Sequence, residues 1–341
     1  MRVVVVGGGM AGLVLARGLV KWGQPPVVIE RMPQGTVIEG PIMLPFQAYP
    51  ALDDLEVLGS IAAEAIPIPP ERDGRPIAMS VPRETVLGIL RAGLTIRWST
   101  AVVDLLRDGG RVTGVRVRTA EGAEEDVPAD LVVGADGTAS PVRTMAGFPA
   151  QTRVSDSAFV GFRSPAHAPE PFSITFLSDG RQMTVMDWAG GSAGGWQIDR
   201  VPGGEREALA PGLDAFREAF VQLLPAARGP LDALASVDEL HYREVTEVRC
   251  DTWWMPGVAL VGEALHAMNP EAGIGSGLGM GDAHALAIAV ARNPDDADAA
   301  CRDYETWRRP AIAPYLAVGS QGVRVVRGGP VRDEERWPPP Q

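Results

Sequence analysis

The sequence predicts an α/β fold: a parallel sheet wound with helices, a second, mainly β-sheet domain inserted into it, and a C-terminal helical segment. Three observations predict it. The chain opens on a strand, a glycine-rich turn, a helix and a second strand. Two later apolar strands, at residues 129–134 and 258–261, also run into glycine-containing turns. The stretch between them changes character, to strand-like runs broken by Gly and Pro.

After Arg2, the valines Val3, Val4, Val5 and Val6 make an apolar run of the kind buried on both faces of a sheet. Gly7, Gly9 and Gly12 follow with G-x-G-x-x-G spacing. The first allows a tight turn, the second lets backbone approach a pyrophosphate, and the third lets the next helix pack close to the sheet. A helix is predicted over residues 10–22, with Leu13, Leu15, Ala16 and Leu19 on its apolar face. Its first residues, Met10 and Ala11, offer unpaired N–H groups to phosphates. The strand at 27–30 ends in Glu30, followed by Arg31. An acid about 20 residues past the glycines suits the ribose hydroxyls of a dinucleotide. This opening unit is Rossmann-like.

Residues 33–79 carry Pro and Gly breaks and a short amphipathic segment at 51–58; Pro67, Pro69, Pro70, Asp73 and Gly74 mark a loop. A helix over 80–90, reached through Pro82, places Arg83 in its first turn. Alternation over 95–98, 101–107 and 111–119 predicts antiparallel strands. The strand at 129–134 delivers Asp136 and Gly137 to its C-terminal end, where open α/β sheets bind ligands. Ser140 can cap the next helix, and Arg143 can face phosphates or a carboxylate. Strand-like runs at 159–162, 172–177, 182–188 and 195–199 precede a helix at 213–224. The strand at 258–261 ends at Gly262 and Glu263; the loop from Pro270 through Gly273, Ile274, Gly275 and Ser276 to Gly277 allows close backbone approach. Helices are predicted at 281–291 and 297–318. The first domain is thus expected to comprise 1–150 and 251–325, the second 151–250, and residues 326–341 a flexible tail.

With 31 Lys+Arg against 43 Asp+Glu, the net charge is −12, which argues against a nucleic-acid surface and polybasic membrane attachment. No apolar run approaches the roughly 18 residues that span a bilayer. The chain starts on a strand rather than a signal core. Cys250 and Cys301 are the only cysteines, without a C-x-x-C or His cluster, so neither disulfide framework nor metal site is expected, and a cytoplasmic location is the simple reading. A monomer and a homodimer fit equally.

Residues 3–12, 130–143 and 258–277 together resemble the three nucleotide-contacting motifs of single-component FAD-dependent monooxygenases of the para-hydroxybenzoate hydroxylase type. The resemblance implies a GR2-type FAD-binding domain contacting the cofactor through Gly7, Gly9, Met10, Ala11, Gly12, Glu30, Arg31, Arg83, Asp136, Gly137, Gly262, Glu263, Gly273, Ile274, Gly275 and Ser276. It also implies NAD(P)H as transient electron donor and O2 as cosubstrate. One oxygen atom would pass from flavin C4a to an aromatic or polycyclic, polyketide- or alkaloid-like small molecule of secondary metabolism, by hydroxylation or epoxidation. One dinucleotide fingerprint, not two, fits transient nicotinamide binding or an external flavin reductase. Catalysis would be flavin-borne, with the Pro270 loop beside the isoalloxazine and no residue assigned as general base. Substrate contacts are expected from Phe162, Arg163, Met186, Trp188, Trp196 and Pro270. His266 and His284 are expected to pack or hydrogen-bond. Three departures stand out: Glu263 where Asp is usual, Gly277 where Asn is common, and no Arg in 35–45, for which Arg31 or Arg83 would compensate. Two other readings remain open: a flavin-dependent reductase or dehydrogenase, and a flavoprotein with structural FAD catalysing a non-redox, cyclase-like step.

Overall fold

The computed structural model describes residues 1–72, 74–270 and 273–318; the expected tail at 326–341 lies outside them. In chain order the first part runs β1 Val3–Val6, α1 Met10–Lys21, β2 Val27–Ile29, β3 Pro41–Pro45, α2 Tyr49–Asp54, α3 Leu58–Ala62, β4 Ile66–Arg72, β5 Arg75–Pro82, α4 Arg83–Arg91, β6 Ile96–Arg97, β7 Thr100–Asp108, β8 Arg111–Thr119, β9 Glu124–Pro128, β10 Leu131–Gly134 and α5 Pro141–Ala146. The middle comprises β11 Ala150–Ser164, β12 Phe172–Phe176, β13 Gln182–Trp188, β14 Gly191–Asp199, α6 Gly204–Ala208, α7 Gly212–Leu223, α8 Arg228–Asp232 and β15 Leu240–Cys250. The chain then closes with β16 Trp254–Met255, β17 Val258–Leu260, α9 Gly275–Arg292 and α10 Ala297–Val318.

The main sheet has the order β16-β17-β10-β1-β2-β6. Its strands are parallel except β16, which pairs antiparallel with β17. All four residues of β1 and of β10 are buried, as continuous apolar runs require when both faces of a parallel sheet are covered. Helices α1 and α9 lie against each other there. Gly18 permits this: a Cβ on it would come within 2.7 Å of the Ala287 Cβ.

A separate five-stranded sheet, β12-β13-β14-β11-β15, is antiparallel throughout. One face carries its own core, in which Val160, Phe162, Met183, Val185 and Leu240 pack against Phe220 and Leu231. The other face turns toward the first domain, where the Ser80 hydroxyl donates to the Asp187 carbonyl at 2.6 Å.

Three expectations need correction, and one strand went unread. The loop expected around Pro67 to Gly74 is largely strand: β4 pairs with β5 in a three-stranded sheet ordered β3-β5-β4. The prolines are tolerated because β4 is an edge and its register slips between Ile68 and Glu71, where Pro69 and Pro70 sit. The helix expected from residue 80 starts at Arg83, because Ser80 to Pro82 still pair with β3. The run at 95–98 joins the main sheet, parallel to β2, rather than an antiparallel hairpin. Ser99, at φ 52°, turns the chain out of that sheet before β7. Finally, β9 escapes apolar pattern reading because it is an exposed acidic strand, held to β8 by the Arg116–Asp126 and Arg118–Glu124 pairs.

Candidate active site

The first two glycine turns are built against each other. Gly7 has φ 114°, and a Cβ there would lie 2.3 Å from the Ala135 carbonyl oxygen. On Gly12 it would lie 2.0 Å from the Gly7 oxygen. Both are glycine because backbone meets backbone. Gly9 differs: a Cβ would find nothing within 4 Å, although Gly9 caps α1 with no side-chain hydrogen bond. An open face therefore lies over the free N–H groups of Met10 and Ala11. Glu30 is fixed beside this turn, its Oε2 accepting from the Gly8 N–H at 2.6 Å and its Oε1 from the Met32 N–H at 2.8 Å. Each oxygen keeps a lone pair for a hydroxyl donor. Arg31 is exposed at the end of β2.

In the second turn Asp136 Oδ2 accepts from the Val142 N–H at 2.9 Å, while Oδ1 is buried without a partner among the described residues. Burial pushes the Asp136 carboxyl above its ordinary value. Gly137 adopts φ 82°. Ser140 caps α5 as expected, accepting from the Arg143 N–H at 2.9 Å. Arg143 does not face a ligand: its guanidinium is buried and donates to the carbonyls of Ala264 at 2.9 Å and Thr138 at 2.7 Å. It ties the second turn to the third.

The third turn closes the cleft. Gly262, at φ 62°, touches both α1 and α9: a Cβ would lie 3.3 Å from the Ala11 Cβ and 3.5 Å from the Gly279 Cα. Exposed Glu263 reaches across to the second turn, where the Thr138 hydroxyl donates to its Oε2 at 3.3 Å. Pro270 is exposed, and its carbonyl accepts from the Gly273 N–H at 2.8 Å. Gly273 has φ 63° and lies against Met43 of β3. Ile274 caps α9 without a side-chain bond, leaving the N–H groups of Gly275 and Ser276 free of side-chain acceptors. Buried Asp282, on α9, anchors this turn, accepting from the Gly262 N–H at 3.3 Å and Arg308 Nε at 2.7 Å, and lying 2.5 Å from His266 Nε2. His284 Nε2 lies 2.9 Å from Asp54 Oδ2. Both histidines are thus hydrogen-bonding residues, as expected.

Arg83 opens α4 with its backbone N–H donating to the Gly40 carbonyl at 3.0 Å. Its half-buried guanidinium has no hydrogen bond or ion pair among the described residues. Burial lowers its pKa, the Arg243 charge lowers it further, and Glu263 opposes both. Arg243, on β15, is a residue the sequence did not single out; neither was Asp282.

The expected substrate contacts divide between the two faces of the second sheet. Phe162 and Trp196 belong to its core and are corrected accordingly: Phe162 meets Phe220 edge-on at 5.6 Å between centroids, and Trp196 meets Phe220 likewise at 6.1 Å. Arg163, Met186 and Trp188 alternate with core residues and occupy the opposite face. Arg163 and Trp188 line a cavity of about 390 Å³ together with Ile38, Gly40, Pro82 and Glu84.

An open cradle at Gly9, a buried Asp136 oxygen without a partner and an unpaired half-buried Arg83 fit a large anionic dinucleotide. The family model described as FAD binding domain matches residues 86–316. The chain belongs to this FAD-binding family. It is 28% identical over 349 residues to the 3-amino-4-hydroxybenzoate 2-monooxygenase of Streptomyces cremeus, covering 92% of this chain and 84% of that protein. It is 26% identical over 358 residues to the kynurenine 3-monooxygenase of Salinispora tropica, covering 91% and 76%. Among solved structures, the tetrameric form of 2-methyl-3-hydroxypyridine-5-carboxylic acid oxygenase shares the fold with a TM-score of 0.76 at 22% identity, over 96% of this chain and 91% of that one. The probable FAD-dependent monooxygenase pqsL of Pseudomonas aeruginosa does so with a TM-score of 0.78 at 20% identity, over 95% of both chains.

Within this flavoprotein the glycine at 277 has a packing cause. A Cβ there would lie 2.7 Å from Pro45 Cγ, 3.1 Å from Gln47 Cβ and 3.2 Å from the Ala48 nitrogen. Restoring the asparagine common at this position is therefore expected to harm. Gly277→Asn should destabilise the fold by about 1–3 kcal/mol through overpacking, read as a lower urea midpoint with unchanged slope.

Proposed function

We propose that this flavoprotein is a monooxygenase that uses NAD(P)H and O2 to oxygenate an aromatic or polycyclic small molecule, by hydroxylation or epoxidation. The observation that carries the reading is that α1 and α9, neither with a side-chain N-cap, are brought together at Gly262, where a Cβ would meet both Ala11 and Gly279. Bound FAD supplies the redox chemistry, taking electrons from NAD(P)H and activating O2. The chain supplies position and charge. Gly7, Gly9, Met10, Ala11 and Gly12 hold the pyrophosphate, Glu30 the ribose, and Asp136, Gly137, Gly262 and Glu263 the linking region. Ile274, Gly275 and Ser276 present N–H groups where negative charge builds on the ring system, and Gly273 lets the backbone pass close to it. The Pro270 loop covers that ring, and Arg163, Met186 and Trp188 meet the substrate. Arg31, being exposed, contributes less than Arg83.

The finer expectations follow from the same reading: a cytoplasmic monomer or homodimer, reduced by transiently bound nicotinamide or by a partner reductase. The experiment is turnover of an aromatic panel under 18O2 with NADH or NADPH. One 18O atom in a product, with substrate-stimulated nicotinamide oxidation, is the expected result. Product formed without nicotinamide consumption would replace this reading with the non-redox one.

Arg83 gives a second check. Arg83→Gln removes a charge that has no hydrogen-bond or ion-pair partner among the described residues. Loss of one charge-assisted hydrogen bond costs about 1.5–3 kcal/mol, so FAD should bind roughly 10- to 100-fold more weakly. Equilibrium dialysis against FAD measures it; unchanged affinity would remove Arg83 from the site.

A further inference from the structure

Glu247 Oε1 and His266 Nδ1 are buried and have no hydrogen-bond partner among the described residues. The two residues line one small cavity, together with Met268 and Leu316. They are 1% and 4% exposed. Buried polar atoms are costly to leave unmet. Their other polar atoms are already committed. Glu247 Oε2 accepts from Arg153 Nε at 2.6 Å, across the β11–β15 pair. His266 Nε2 lies 2.5 Å from Asp282 Oδ2. Oε1 and Nδ1 are what remains for the cavity.

The cavity has a volume of about 10 Å³ for a water-sized sphere, which is room for one water and nothing larger. A carboxylate oxygen only accepts, whereas Nδ1 accepts in a neutral ring and donates in an imidazolium. Water both donates and accepts, so it meets Oε1 together with either form of the ring.

This cavity lies where the second sheet is stitched to the third turn. The N–H groups of Val248 and Cys250, on β15, donate to the carbonyls of Ala267 at 2.8 Å and Leu265 at 3.1 Å. Asn269 Nδ2 donates to the Ser157 hydroxyl, on β11, at 3.0 Å. His266 is in turn held to Gly262 twice. Its backbone N–H donates to the Gly262 carbonyl at 2.8 Å, and its ring meets Asp282 Oδ2, which also accepts the Gly262 N–H at 3.3 Å. A shift of the ring therefore disturbs the anchor of Gly262.

Resting on the reading of Gly262 and Glu263 as cofactor contacts, we propose that Glu247 is a positioning residue for FAD, acting through one buried water shared by its Oε1 and His266 Nδ1. The relay runs from Arg153 through Glu247, the water, His266 and Asp282 to the Gly262 N–H. It steadies the imidazole on the side that Asp282 leaves free. Glu247 sits on the second sheet, so the water carries its hold across the junction between sheet and turn.

The water is tested first, by a high-resolution crystal structure of the protein as purified. One ordered water within about 3.2 Å of both Glu247 Oε1 and His266 Nδ1 is expected. A dry cavity, or a water that touches one atom alone, overturns the proposal whatever any variant does. The positioning role is tested by a double-mutant cycle on the FAD dissociation constant, measured by equilibrium dialysis without NAD(P)H or substrate. Glu247→Met keeps the side chain's length and leaves Arg153, already 33% exposed, to solvent. It should weaken FAD roughly 5-fold or more. His266→Gln keeps an N–H for Asp282 and removes the atom that meets the water. In that background Glu247→Met should change FAD affinity no further. Unchanged affinity in Glu247→Met, or the same loss in both backgrounds, overturns the proposal. A parent that takes up no FAD fails the flavin reading itself; a parent that binds FAD without this coupling fails the positioning role alone.

Discussion

Gly9→Val gives a protein that folds like the parent and no longer holds FAD. The two halves of that result have separate causes. Nothing lies within 4 Å of where the new Cβ would sit, and Gly9 has φ −76° and ψ 179°, extended backbone open to any residue. The apo fold therefore has no reason to change. The valine does occupy the open face above the α1 N-terminus, where a pyrophosphate must come within hydrogen-bond distance of backbone N–H groups. A steric conflict of about 3 kcal/mol weakens FAD by roughly 100-fold. Gly12→Val is the contrasting variant: its Cβ would fall 2.0 Å from the Gly7 oxygen, so the fold itself suffers. Circular dichroism and FAD titration of both variants separate cradle from scaffold. Equal FAD affinity in Gly9→Val and parent would show that the open face is not the phosphate site.

Asp282→Asn is expected to be the most destabilising single change among the polar residues. Asp282 is fully buried, and its carboxylate meets His266, Arg308 and the Gly262 N–H. Removing its charge leaves the Arg308 guanidinium, 17% exposed, without its anion. Breaking such a pair costs about 3–5 kcal/mol. The sign with pH follows from the direction of the shift. Burial opposes the charged form, but His266 and Arg308 together outweigh it and hold the carboxyl below its ordinary value. That stability is present above the unfolded value, about 4, and disappears as pH falls through the folded value. The parent should lose stability more steeply than Asp282→Asn on acidification below about pH 4. Urea midpoints of the two proteins between pH 7 and 3 give the comparison; parallel curves would mean that Asp282 is not the anion this account describes.

The glycine turns of the candidate site were legible because most of their signals are local. Gly12 answers to an approach five residues away and Gly137 to a local turn, and such demands are written in sequence spacing; the Ala135 carbonyl that Gly7 also meets comes from a distant turn. Arg243 and Asp282 were not legible, since each acts through partners brought close only by the fold; Asp282 in the Ala- and Gly-rich run from 275 to 292 was the available hint. The substrate face shows a different limit. Alternation says that Phe162 and Arg163 point to opposite faces, but not which face meets the cofactor. The apolar Val160 and Phe162, set against Gly161 and Arg163, favoured burying the first pair, and that signal would have moved Phe162 out of the pocket. Strands β4 and β9 were hidden by prolines at a slipped register and by acidic residues on an exposed strand.

The most direct test of the central claim is the visible spectrum of the purified protein, recorded anaerobically before and after NADH or NADPH and again in air. Oxidised-flavin bands that bleach with nicotinamide and return with oxygen are the predicted result. A protein that stays colourless and takes up no FAD on reconstitution would contradict the account at its root.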